Sequence, residues 1–159
     1  MPERIGVAML GHSFMGQVHS HALRLLPSAM WPVPLEPQLV SISGRNRKQL
    51  TQTKQRYGWA EAVSDWREQV ADPHIGVFDN CGPNALHGQP CVEAAGNGKH
   101  VLCEKPLGIS AEDAFLSWSA VEGSGVVHMC AFNYRFMPAI RLARQIIDAG
   151  DIGEIHHFR

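Results

Sequence analysis

The feature that most constrains this chain is an alternation. Short, continuously apolar runs are separated by stretches with the 3.6-residue apolar period of a helix. The runs fall at 5–10, 39–43, 60–63, 75–79, 100–103 and 126–132, with one more at 154–158. A strand that is apolar on both sides must be covered on both faces, and strands joined through a helix run parallel. The pattern therefore predicts an α/β fold: a Rossmann-type, doubly wound parallel sheet with helices on both faces. At roughly 150 residues per domain, 159 residues suit one such unit. A chain of this length buries about two-thirds of its unfolded surface and needs no metal or disulfide to fold.

Punctuation between the runs supports that reading. Asn46 is placed to cap a helix closed by Gly58, and Asp65 to cap a short one ending near Ala71. Ser110 with Asp113 three residues on forms a capping box for a helix to Glu122, and Gly150 closes a helix that begins at Pro138. The first helix is expected over 17–26, with Val18, Ala22, Leu25 and Leu26 turned inward. Pro27, Pro32, Pro34 and Pro37 predict a surface excursion after it, because each removes a backbone donor. Trp59, Trp66 and Trp118 read as packing residues.

Composition narrows the function. There are 14 Lys and Arg against 15 Asp and Glu, and no basic run, so neither nucleic acid nor an anionic membrane has an electrostatic footprint. Charged residues at 18% and apolar residues at 45% exclude a disordered chain. Cys81, Cys91, Cys103 and Cys130 form no C-x-x-C pair and lie in apolar or mixed stretches, which predicts buried free thiols and a cytoplasmic protein. The apolar run near the start is too short for a signal peptide or a membrane span.

The first turn, Gly11-His12-Ser13-Phe14-Met15-Gly16, follows a strand and opens a helix. That is the setting of the dinucleotide fingerprint, in which glycines permit a tight turn and close approach of the backbone to a pyrophosphate. Ser13 stands at the middle glycine's place. A nucleoside-triphosphate loop is excluded by Gln17, where its lysine would be. After the second strand the sequence reads Gly44-Arg45-Asn46-Arg47, with no carboxylate to accept the ribose 2′-hydroxyl of NAD. A cation there suits a 2′-phosphate, so the turn leans toward NADP over NAD.

Two further segments follow apolar strands, where ligands of open α/β sheets bind: Asn80-Cys81-Gly82-Pro83-Asn84 with His87, and Glu104-Lys105-Pro106. His19 and His21 lie two apart on a helix, and His156 and His157 alternate in an expected strand. Neither pair can close on one metal, and no metal site is expected.

Taken together, Gly11 to Gly16, Gly82-Pro83-Asn84 with His87, the segment Gly98 to Gly108 containing Glu104-Lys105-Pro106, Asn133 to Pro138, and Gly150 to Ile155 resemble the N-terminal half of the glucose–fructose oxidoreductase/inositol 2-dehydrogenase (Gfo/Idh/MocA) family. The resemblance implies an NAD(P)-dependent oxidoreductase acting on a sugar, cyclitol or related alcohol. It makes Lys105 the catalytic lysine and places Glu104 near the nicotinamide ribose. It assigns the Cys81–Asn84 turn and His87 to the cofactor cleft, implies a cis peptide before Pro106, and brings Arg135 back toward the cofactor. It also implies that residues 1–149 are the dinucleotide-binding domain and that 150–159 open a second, substrate-binding and oligomerising α/β domain, before which the chain is truncated. The 159 residues alone would then be inactive, and the full-length protein a homo-oligomer. The competing reading is a non-catalytic dinucleotide-binding module or sensor.

Overall fold

The computed structural model describes residues 2–157. In chain order the elements are β1 (Glu3–Leu10), α1 (Phe14–Ala29), β2 (Leu35–Ser43), α2 (Arg47–Tyr57), β3 (Glu61–Val63) and α3 (Trp66–Ala71). They continue with β4 (Val77–Asn80), α4 (Gly88–Gly96), β5 (His100–Cys103), α5 (Ala111–Gly123), β6 (His128–Cys130) and α6 (Pro138–Asp148). Short 3-10 turns at Asn84–Leu86 and Asn133–Phe136 precede α4 and α6. The six strands form one parallel sheet in the order β3-β2-β1-β4-β5-β6. No helix among the described residues is long and apolar enough to cross a membrane.

The sheet divides the core into two layers, and β1 supplies both because successive side chains point to opposite faces. Val7 and Met9 join Ile42, Leu50 and Trp59 under α1 and α2. Ala8 and Leu10 join Phe78, Val101, Cys103 and the inner faces of α3, α4 and α5. Strand order reverses between β1 and β4, the point at which open α/β sheets bind ligands. Leu10 is level with Ser43 on one side and with Asn80 on the other, and Asn80 is level with Cys103. The turns after β1, β2, β4 and β5 therefore meet at one edge.

The caps act as their residue types require. Asn46 accepts from the Gln49 amide at 3.2 Å, and Gly58 takes the left-handed conformation at φ 75°. Asp65 accepts from the Arg67 amide at 3.0 Å. Ser110 accepts from the Asp113 amide at 3.1 Å, while the Asp113 carboxylate reaches back to the Ile109 amide at 2.9 Å.

Several expectations are corrected. Helix α1 runs on through Pro27 to Ala29, and β2 begins at Leu35, so the proline-rich excursion shrinks to 30–34. Pro37 is tolerated in β2 because β3 pairs only with Ser41–Ser43, which leaves the first half of β2 at a sheet edge. Val18, Ala22 and Leu25 of α1 are exposed rather than inward. Trp59 and Trp66 are buried as expected, but Trp118 is 43% exposed. Residues 154–157 form no strand and are exposed; Phe158 and Arg159 lie outside the described residues. Helix α6 packs on the 133–136 turn and buries none of its residues.

Candidate dinucleotide site and the groove beside it

The glycine turn is shaped by contacts that a side chain would break. Gly11 has φ 107°, and a Cβ there would strike the Cys81 carbonyl across the β1–β4 boundary. A Cβ on Gly16 would strike the Gly11 carbonyl, so α1 can approach the turn only with glycine at that position. Ser13 is the N-cap of α1, and its hydroxyl makes no capping hydrogen bond. The first helical bond runs from the Gln17 amide to the Ser13 carbonyl at 2.9 Å, so the amides of Phe14, Met15 and Gly16 stand at the open helix end. Such an end, with its positive dipole, accepts a phosphate.

Behind the turn, His12 packs against Gly44, where a Cβ would collide with the imidazole. The His12 Nδ1 is buried without a hydrogen-bond partner, and its carbonyl accepts from Thr53 Oγ1 at 3.3 Å. Arg45 is exposed at the end of β2, while the Asn46 side chain is used in capping α2.

At the end of β4, Asn80 is fully buried and organises the neighbouring turn. Its Nδ2 donates to the Leu86 carbonyl at 2.8 Å, and its Oδ1 accepts from the Gly82 amide at 3.1 Å. Its own carbonyl accepts the Glu104 amide at 2.9 Å. His87 is buried between the two turns. It is 1% exposed, and its ring nitrogens lie against the carbonyls of Pro106 and Gly82, tying the two turns together. The Lys105–Pro106 peptide is cis. Arg135, on the turn before α6, lines a depression beside Trp118, Ser117 and Val121 on the α5 side of the sheet.

The opposite face carries an open groove of about 620 Å³ that is lined by Lys105 and Glu104 at one end. Apolar side chains of α1, β5 and β6 line its length, among them Val18, Leu23, Leu26, Leu102 and Met129. Lys105 is exposed, and among the described residues its ammonium has no carboxylate in ion-pair contact.

Beneath Lys105 lies a buried charge network that the sequence did not reveal. His19 Nδ1 is 3.1 and 3.0 Å from the two oxygens of Asp79, and its Nε2 is 3.2 Å from Glu104 Oε1. Glu104 Oε2 accepts the Lys105 amide at 3.1 Å. Burial disfavours the charged ring of His19, but the hydrogen bond and charge of Asp79, with Glu104 behind them, outweigh it and raise its pKa above 6.5. The Cys81 thiol, 3.5 Å from Asp79, is pushed far up by burial and then by that carboxylate, so it keeps its proton. His19, Asp79 and Cys81 bring donor atoms within 4.8 Å of one another, but these atoms are engaged in hydrogen bonds with one another. The one sequence signal for the network was Asp79, a carboxylate inside an otherwise apolar strand.

Fold and turn geometry define a Rossmann domain with its ligand edge at the β1–β4 switch point. Residues 5–132 match the family described as an oxidoreductase family with an NAD-binding Rossmann fold, and the chain belongs to that Gfo/Idh/MocA family. It is 40% identical over 157 residues to levoglucosan dehydrogenase of Pseudarthrobacter phenanthrenivorans, covering 99% of this chain and 40% of that protein. Myo-inositol 2-dehydrogenase of Thermotoga maritima is 28% identical over 156 residues, 98% of this chain and 44% of that protein. A solved levoglucosan dehydrogenase in complex with NADH and levoglucosan superposes with a TM-score of 0.92 at 39% identity, over 96% of this chain and 41% of that one. The chain thus spans about two-fifths of the length of these relatives, and the part it spans is the NAD-binding domain.

Proposed function

We propose that this chain is the cofactor-binding part of a dehydrogenase that moves a hydride between a nicotinamide and a sugar, cyclitol or related alcohol, with Lys105 as its catalytic residue. The observation that carries this reading is the placement of Lys105. A cation without a carboxylate partner stands after β5 beside the switch point and opens onto a groove. The names of the relatives supply the substrate class. Residues 1–149 form the dinucleotide-binding domain in this reading, and 150–159 lead into a second domain that carries the substrate pocket and homo-oligomer contacts. A cytoplasmic location is part of the same proposal.

The site residues fit a dinucleotide because the turn leaves backbone where Cβ atoms would be and presents helix-end amides. Gly11 to Gly16 would hold the pyrophosphate, and Gly44, Arg45 and Asn46 would border the adenosine ribose. Cys81 to Asn84 would line the cleft, with Glu104 beside the nicotinamide ribose. The cofactor, when bound, supplies the hydride acceptor or donor. The Lys105 ammonium hydrogen-bonds the substrate oxygen. In oxidation the carbinol C–H departs with its electron pair, and the ammonium stabilises the negative charge growing on oxygen as the O–H proton passes to water. In reduction the same ammonium polarises the carbonyl. The exposed Arg45 and the lack of a carboxylate after β2 favour NADP over NAD.

The test is Lys105→Ala in the full-length protein. Turnover of a sugar or cyclitol should fall on the order of 100-fold or more, with cofactor affinity held within about twofold by the unchanged glycine turn. Fluorescence titration should show NADPH binding more tightly than NADH. Unchanged turnover removes Lys105 from the mechanism, and tighter NADH binding overturns the cofactor preference.

A further inference from the structure

The network under Lys105 has a property that neither the glycine turn nor the lysine explains. His19 projects from α1 between two carboxylates on different strands, Asp79 within β4 and Glu104 just after β5. The three side chains are 14%, 2% and 8% exposed. Each ring nitrogen faces carboxylate oxygen, and a neutral imidazole has only one N–H. With one N–H, a ring lone pair would face a buried carboxylate lone pair at 3.0–3.2 Å, a repulsive contact with little water to screen it. With two, every atom of the bridge is satisfied. The bridge continues past the ring: the second oxygen of Glu104 accepts the backbone amide of Lys105, and the Glu104 amide is held by Asn80.

We propose that His19 is a positioning residue which, as a doubly protonated ring clamped between Asp79 and Glu104, fixes the Glu104 carboxylate and through it the backbone that presents Lys105. The proposal rests on the reading of Lys105 as the catalytic lysine. Its physical content is that the three groups carry two negative charges and one positive charge, so the clamp holds only while the ring keeps its second proton. The other titratable groups around it are Cys81, which keeps its proton, and Lys105 and Tyr134, which line the same groove. Cys130 stands further off, its thiol raised by burial and by the charge of Glu104.

The sign of the pH effect follows. A histidine whose folded pKa lies above its unfolded value contributes stability that is complete below about pH 6.5 and is lost as pH rises through the folded value. The clamp is therefore set at pH below the folded value and released as pH rises through it. Release frees Glu104 from one of its two anchors, and a displaced lysine costs rate rather than cofactor affinity.

Two measurements test this. Ring nitrogen NMR of the protein, assigned by loss of the ring signals in His19→Gln, should show His19 losing its second proton with a midpoint above 6.5. The backbone amide of Lys105 should shift with the same midpoint as the ring, and Asp79→Asn should move that midpoint down. A His19 midpoint at or below 6.5, or a Lys105 amide that ignores the transition, overturns the proposal without reference to turnover. In the full-length enzyme, His19→Gln should lower kcat by roughly 10- to 100-fold with KM for the cofactor changed less than about threefold. It should also remove the alkaline fall in kcat assigned to the ring. A kcat and pH profile equal to those of the parent overturn the proposal. A loss of turnover in His19→Gln with Lys105→Ala fully active would instead show that Lys105 is not the group being positioned.

Discussion

Residues 3–59 and residues 133–157 carry equally clear local signals, yet the first are built into the sheet and the second stand off it. In the first region α1 and α2 lie over β1 and β2, and Ser20, Leu50, Thr53 and Trp59 disappear into their shared layer. In the second, α6 repeats apolar residues at Ile140, Ala143 and Ile147, starts at a proline and is followed by Gly150 at φ 78°, but buries nothing. The difference separates two requirements that are easily merged. Caps and prolines act within about four residues and decide where a helix begins and ends. Burial needs a second surface, and no surface within the described residues meets the apolar face of α6. The same holds for the groove: Val18, Leu102 and Met129 are apolar on the α1 face of the sheet, beyond the reach of α2.

The contrast can be broken or sharpened by substitution. Phe78 of β4 is fully buried among Leu10, Val101 and Ala94, so Phe78→Ala should cost about 3–5 kcal/mol of unfolding free energy in chemical denaturation. Loss of less than about 1 kcal/mol would mean that the layer collapses around the gap. Asn46→Ala removes the side-chain acceptor for the Gln49 amide and should cost about 1 kcal/mol by the same measurement, since α2 is joined to the sheet. Ile140→Ala, on a helix with no buried residue, should change stability by less than about 0.5 kcal/mol. A larger effect there would show that α6 packs against the domain in solution, and the contrast between the two regions would fail.

How much of this was legible in the sequence varies with distance along the chain. Strand positions and caps were readable because apolar runs and Asn46, Asp65, Ser110 and Gly58 act locally. The extension of α1 through Pro27 was not: proline lacks one donor, but that cost fell in the last turn of a helix already held by its earlier residues. The places of the glycine turn after β1 and of Lys105 after β5 were legible because periodicity reveals strand ends; the role expected of Lys105 came from the family resemblance. His19 was not found, since Asp79 and Glu104 reach it from 60 and 85 residues away. His87 and Arg135 were readable as belonging to turns near the edge, but which way each would face depends on contacts that no spacing specifies.

Asp79 and Asn80 are adjacent in β4, and the pleat sends them to opposite sides. Asp79 anchors the histidine clamp on the α1 face, while Asn80 shapes the Gly82 turn on the α4 face. Their spacing of one residue couples the two layers like the two ends of a seesaw. A one-residue deletion in Val77–Phe78 would turn both to the opposite faces, bringing Asn80 to the place that faces His19 and pushing Asp79 into the core place of Phe78. Neither network can be retuned by sliding the strand; each must be changed in place, one side chain at a time.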